Sequence, residues 1–389
     1  MYSHRLSWPL LPNSYSECVA DLKRLGTPLL DLTISNPTKA NFDYPHRAIT
    51  AALGAIPDTN YDPEPFGHPE AIAAIQAYYE ERGFTVDSAR ILLTASTSEA
   101  YGYLLKLLCD AGDEILVPLP SYPLFEYLAA LESVHLAPYW LRYDGSWHID
   151  FSALLGQISP RTRAIVIVNP NNPTGSLLPR DDTAKLLEIA QKHDLPVITD
   201  EVFCDYAFSA LPDSTRTLVN YPHGLVFSLN GLSKTAGMPQ LKLSWMVLSG
   251  DETHQKQARE RLELIFDTDL SVNTPTQRAL PQLLRIGSGV RQQITARVQQ
   301  NLAAAQQLLH DSAAHVLHAD AGWSVIVQLP RTRSEEAWLL DLLQQQHLIV
   351  QPGYFFDLPN ECGIVLSLLT PPADFAEGLR RLKGLVDRT

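Results

Sequence analysis

From about residue 47 to residue 250, short apolar runs alternate with segments of helical period, and few folds accept that rhythm. The runs Ile91-Leu92-Leu93, Glu114-Ile115-Leu116-Val117, Ala164-Ile165-Val166-Ile167-Val168, Pro196-Val197-Ile198-Thr199 and Gly224-Leu225-Val226-Phe227-Ser228-Leu229 read as buried strands. Segments 71–82, 99–109, 122–131 and 181–193 carry a helical period. Strands alternating with helices predict an α/β fold, with a mostly parallel sheet covered on both faces. Such a sheet binds ligands where loops leave the carboxyl ends of its strands.

After residue 250 the pattern changes. Segments 252–266 and 277–310 read as helices, the second containing Pro281. A strand at 322–329, a helix at 334–345, strands at 348–350 and 364–368, and a helix at 373–386 follow. Strands and helices grouped this way predict a smaller α+β domain. We expect a large domain over 47–283 and a small one from 1–46 with 284–389. The 389 residues, 45% of them hydrophobic, suffice for two cores. The net charge of -13 argues against a nucleic-acid partner. Cys18, Cys109, Cys204 and Cys362 form no C-x-x-C pair and read as reduced thiols. The N-terminus lacks the pattern of a signal peptide, and no stretch approaches the roughly 18 apolar residues of a membrane span. The expectation is a cytoplasmic protein without membrane partners.

The residue that points to chemistry is Lys234, in Asn230-Gly231-Leu232-Ser233-Lys234-Thr235, just after an apolar strand. Burying an ammonium is costly, and a desolvated lysine becomes a nucleophilic free amine. Four upstream segments bear on it. Thr94-Ala95-Ser96-Thr97-Ser98-Glu99 links a strand to a helix. Its hydroxyls and backbone N–H groups suit a phosphate, and they also suit ordinary N-capping. Pro118-Leu119-Pro120-Ser121-Tyr122-Pro123 fixes a tyrosine that either stacks on a flat ring or packs in a turn. Asn169-Pro170-Asn171-Asn172-Pro173-Thr174-Gly175 crowds amides into a turn locked by prolines and glycine. Asp200 ends a strand, and a partly buried carboxylate needs a cation, which a protonated heterocyclic nitrogen would supply. Phosphate cradle, ring stacker, amide, acid and amine together describe a pyridoxal 5'-phosphate site.

On these motifs, and over nearly its whole length, the chain resembles the class I/II, fold-type I aminotransferases of the aspartate aminotransferase superfamily. The carriers are 169–175, Asp200-Glu201, and Ser233-Lys234 followed by Lys242. The resemblance implies that Lys234 binds the cofactor aldehyde and that Asp200 pairs with its ring nitrogen. Asn172 would meet the ring hydroxyl and Tyr122 would stack. Ser96, Thr97, Ser98, Ser233 and Lys242 would hold the phosphate. Tyr61 matches a tyrosine that reaches the phosphate of the partner subunit, which implies a homodimer. The implied reaction moves an amino group between an amino acid and a 2-oxo acid in a ping-pong cycle.

Three positions depart from the family pattern. Phe203 stands where a tyrosine usually donates to the ring hydroxyl, and its loss is expected to raise the pKa of the lysine–cofactor linkage. Lys242 replaces an arginine and binds phosphate as a point charge. Val365 stands where an arginine usually clamps the substrate carboxylate, with Arg331 and Arg333 as candidate substitutes. Asp269 falls near a position that contacts the substrate side chain in dicarboxylate-specific relatives; it reads either as a contact favouring basic or neutral substrates or as a turn residue. These departures leave two alternatives: a lyase, decarboxylase or oxidase of the same fold, and a non-catalytic PLP-binding regulatory module.

Overall fold

The computed structural model describes residues 2–8, 13–55, 60–209, 213–358 and 362–388. Its strands are β1 (Leu30–Asp31), β2 (Ile91–Thr94), β3 (Glu114–Leu119), β4 (His135–Tyr143), β5 (Trp147–Ile149), β6 (Thr162–Val168), β7 (Val197–Asp200), β8 (Leu225–Gly231), β9 (Ser244–Gly250), β10 (His315–Val316), β11 (Ser324–Gln328), β12 (Leu348–Ile349), β13 (Gln351–Pro352) and β14 (Gly363–Ser367). Eight of them form one sheet in the order β2-β9-β8-β7-β6-β3-β4-β5. The neighbours from β8 through β4 are parallel, while β9 and β5 run the other way. The expected mostly parallel sheet is therefore present, with reversed strands at both sides.

Side chains leave successive strand residues on opposite faces, and both faces here are apolar. Ile165 and Ile167 pack with Leu186, Leu187 and Ala190 of the helix Arg180–Lys192. Ala164 and Val166 face the other way, with Leu104 of Thr97–Leu108 and Leu262 of Glu252–Asp269. This double burial explains why the strand runs read as continuous apolar stretches.

The second sheet is antiparallel, in the order β10-β11-β14-β13. Val325, Val327, Ile364 and Leu366 pack in one core with Trp338 and Leu342 of Glu335–Gln346 and with Phe375 and Leu379 of Pro372–Val386. β1 pairs in parallel with β12, tying the N-terminal stretch to the C-terminal part. The expected boundary at 283 falls inside the 35-residue helix Thr274–Leu308, which passes through Pro281 without ending.

The expected helix at 122–131 begins only at Leu124. Tyr122 precedes Pro123, and the proline ring drives the preceding residue out of the helical region. No apolar run marks β4, because along it buried residues alternate with half-buried or exposed ones. Among the described residues no helix is long and apolar enough to cross a membrane.

Candidate active site

Five strands, β2, β3, β6, β7 and β8, end at one edge of the large sheet, and β9 begins there. Lys234 sits just beyond β8, in the single helical turn Leu232–Thr235. Gly231 lets β8 and β9 close up at this point: a Cβ there would stand 2.2 Å from Ser244 Oγ. Three groups brace the turn. Tyr206 donates its hydroxyl to the Lys234 carbonyl at 2.6 Å. Asn230 Oδ1 accepts from the Gly231 N–H at 2.7 Å and from the Thr235 hydroxyl at 2.9 Å. Arg291 donates to the Thr235 carbonyl at 3.1 Å, next to Asp205, which also holds Arg82.

The Lys234 amine lies 4.7 Å over the Trp323 ring and 5.2 Å from that of Phe203. Burial lowers its pKa to about 8, against the opposing pull of Asp200. Asp200 ends β7, beside β8. Its Oδ1 accepts from the Val202 N–H at 3.2 Å and its Oδ2 from the Tyr101 hydroxyl at 3.3 Å. Burial raises its pKa to about 6, partly offset by these donors and by Lys234. No ion pair within 4.0 Å engages Asp200 among the described residues. Beyond the longer-range pull of Lys234, no cationic N–H among the described residues meets this carboxylate, which leaves it placed to receive one from a bound group.

The three hydroxyl residues begin the helix Thr97–Leu108, with Ser96 as its cap. Ser96 Oγ accepts from the Glu99 N–H at 3.1 Å, so it serves as an N-cap and can still donate its own hydrogen to an anion. Glu99 turns back to accept from the Ala95 N–H at 2.7 Å and the Ser271 hydroxyl at 2.7 Å.

The 169–175 turn divides its amides. Asn169 donates to the Thr215 carbonyl at 2.8 Å and accepts from the Leu178 N–H at 2.9 Å. Asn171 Oδ1 accepts from the Thr174 hydroxyl at 2.9 Å. Asn169 is scaffold, Asn171 keeps a buried Nδ2 with no partner among the described residues, and Asn172 is half-buried. Gly175 packs so tightly that a Cβ would stand 2.6 Å from the Ala321 carbonyl oxygen. Tyr122 is 51% exposed at the end of β3, next to Ser121, whose N–H donates to the Phe356 carbonyl at 3.1 Å. Ser233 is half-buried beside Lys234, and Lys242 is exposed just before β9, in a left-handed conformation with φ 50°.

The expected residues Ser96, Thr97, Ser98, Tyr122, Asn172, Asp200, Ser233, Lys234 and Lys242 therefore share one sheet edge. Tyr61 shares none of their contacts. It is 75% exposed in a stretch that packs near Leu270, Ser271 and Val272. Asp269 ends its helix and borders a hollow with Ser98, Tyr103 and Lys106. Val365 is buried opposite Ile326, in an apolar cluster with Leu141 and Trp147. Arg333 is paired with Asp341 and lies against the Trp338 ring. Sequence reading missed Tyr101, Tyr206 and Trp323, which lie in no motif.

A desolvated amine, a carboxylate lacking a cation, a hydroxyl-rich helix start and an uncommitted amide fit the aldehyde, ring nitrogen, phosphate and ring oxygen of pyridoxal phosphate.

Residues 27–377 match the family described as Aminotransferase class I and II. The chain is 29% identical to the glutamate-pyruvate aminotransferase of Escherichia coli over 349 residues, covering 87% of this chain and 85% of the relative. It is 27% identical to the alanine aminotransferase of Mycobacterium tuberculosis over 378 residues, covering 93% and 86%. Among solved structures, an aminotransferase from Escherichia coli superposes with a TM-score of 0.86 at 26% identity, covering 99% and 98%. The alanine aminotransferase of Pyrococcus furiosus has the same fold, with a TM-score of 0.89 at 23% identity over 100% of both chains.

Proposed function

The chain belongs to the class I and II aminotransferases, pyridoxal-phosphate enzymes that act on an amino acid and a 2-oxo acid, and we propose that Lys234 and Asp200 are the pair through which it does so. The observation that carries this reading is the placing, at the ends of adjacent strands, of an amine whose pKa is lowered to about 8 and a carboxylate raised to about 6 that form no ion pair with each other.

Pyridoxal phosphate, when bound, supplies a ring that draws electrons away from the substrate Cα. Lys234 Nζ, in its neutral form, would take the proton from the substrate Cα and hold it as general base and acid. Near pH 8 about half of such an amine is neutral, so a base is available under mild conditions. Asp200 keeps the ring nitrogen protonated, with Tyr101 and Val202 fixing the carboxylate. Ser96, Thr97, Ser98, Ser233 and Lys242 hold the phosphate. Asn172 would donate to the ring oxygen, and Tyr122 would cover the ring face and exclude water from it.

The reaction is a ping-pong exchange, carried out by a homodimer in which Tyr61 serves the partner's site. Four cysteines outside any disulfide suit a reducing compartment, and the cytoplasm is the proposed location. The names of the relatives support alanine, glutamate and their 2-oxo acids as first substrates. The test is an amino-donor panel with pyruvate, 2-oxoglutarate and oxaloacetate as acceptors, read by the cofactor spectrum and by 2-oxo acid release. Expected is a spectral change with stoichiometric 2-oxo acid for at least one donor. Failure with every donor would sink the proposal.

A further inference from the structure

Two aromatic rings meet the Lys234 amine: Trp323, with its ring centre 4.7 Å from Nζ, and Phe203, at 5.2 Å. Both distances fall inside the roughly 6 Å over which a cation is drawn to the negative face of a ring. That attraction acts on the ammonium and not on the neutral amine. It is strongest where water is excluded, as it is around this buried lysine.

The indole is held in place from several sides. Trp323 is 4% exposed. Phe203 and Tyr206 cross it at 73° and 70°, with ring centres 5.4 and 5.1 Å away. Its carbonyl accepts from the Leu368 N–H at 2.8 Å. Tyr206 also ties the indole to the lysine. Its hydroxyl donates to the Lys234 carbonyl, and its own carbonyl accepts from the Gly322 N–H at 3.0 Å, one residue before Trp323.

The other polar groups nearby act differently. Asp200, on β7, pulls the amine pKa up against burial without an ion pair. Tyr206 and Tyr44 give their hydroxyls to the carbonyls of Lys234 and Gly237. Arg291, paired with Asp205, donates to the Thr235 carbonyl.

We propose that Trp323 is a positioning residue for Lys234, whose indole face stabilises the protonated amine and holds it in place. This rests on the reading of Lys234 as the base. When Nζ takes a proton from the substrate Cα, the C–H electron pair stays with the substrate and an ammonium forms in a buried site, where it is unfavourable. The ring face offsets this without burying a second charge.

The test replaces the tryptophans with 5-fluorotryptophan and with 5,7-difluorotryptophan during expression, which weakens the negative face while nearly keeping ring volume. The full chain, stripped of pyridoxal phosphate, is labelled with acetic anhydride across a pH series, and the Lys234 peptide is quantified by mass spectrometry. Expected is a labelling midpoint that falls by a few tenths of a pH unit with each fluorine. In Trp323→Leu the same replacement of the other five tryptophans should shift nothing. Should that variant not fold, Trp323→Tyr, which keeps a ring, makes the same comparison. On the holoenzyme, the acid limb of the half-reaction rate with alanine should move with the midpoint. A midpoint that moves while this limb stays fixed supports the role of Trp323 and overturns Lys234 as the base. A midpoint indifferent to fluorine, or an equal shift without Trp323, would overturn the assignment itself.

Discussion

Phe203 packs edge-on against Trp323, with ring centres 5.4 Å apart, and has no hydroxyl to offer the cofactor. Phe203→Tyr restores a donor at that position. A hydrogen bond to a charged oxygen contributes about 1.5–3 kcal/mol, so the pH of the visible spectral transition of the bound cofactor should fall by roughly 1–2 units. An absorbance titration of both proteins measures this, and coincident curves would show that a phenol at 203 does not reach the ring oxygen. Glu201, one residue past Asp200, makes a different case. It is 1% exposed, with Thr217, Leu218 and Thr199 as donors, and burial raises its pKa from 4.5 to about 7. Because the folded pKa lies above the unfolded one, its contribution to stability is full below pH 4.5 and is lost as pH rises through 7. The difference corresponds to about 3 kcal/mol. Glu201→Gln removes this titration, so urea unfolding at pH 5 and pH 8 should differ less in the variant than in the parent. An unchanged pH difference would rule the effect out.

The long helix Thr274–Leu308 sets the position of the lysine turn from outside the sheet. A Cβ added at Gly287 would stand 2.3 Å from the Ala236 Cβ, two residues beyond Lys234. Gly287→Ala should therefore displace one element, costing about 1–3 kcal/mol as overpacking and loosening the hold on the cofactor. Thermal unfolding with and without pyridoxal phosphate tests both parts, and an unchanged melting temperature would show that the contact yields freely. The elements around the site differ in how legible they are in sequence. Asp200 and Lys234 could be read because each follows an apolar strand run, and the turn at 169–175 because prolines and a glycine mark it. Tyr101 could not, since it meets Asp200 across 99 positions, and Tyr206 reaches Lys234 across 28. Such partners are chosen by the packing of one element on another, which leaves no local pattern. The turn's own chemistry offers three amides, and the choice of Asn172 rests on the family resemblance; the hydrogen bonds of Asn169 remove that residue from the set, while Asn171 keeps an unpartnered Nδ2 among the described residues.

At the scale of the whole molecule, the residues proposed to hold the cofactor line one sheet edge within a single chain, while Tyr61 lies exposed outside that group. Tyr61 is 75% exposed, which suits the proposed contribution to a second copy. Most soluble oligomers are closed and symmetric, with twofold dimers commonest, so the partner would return the same contact. This gives a prediction with a definite count. Lys234→Ala removes the amine proposed as the base and should lower activity roughly 10²–10⁴-fold. Tyr61→Ala should weaken phosphate retention and lower activity at limiting cofactor. If Tyr61 acts across the interface, a mixed dimer of the two variants has one site with both defects and one site with neither. Random exchange of equal amounts makes half the dimers mixed, so mixing two poorly active proteins should restore about a quarter of the parent activity. If Tyr61 acts within its own chain, each site of the mixed dimer carries one defect and mixing restores nothing. Unfolding and refolding the two variants together, then assaying at limiting pyridoxal phosphate against each variant refolded alone, separates the two outcomes.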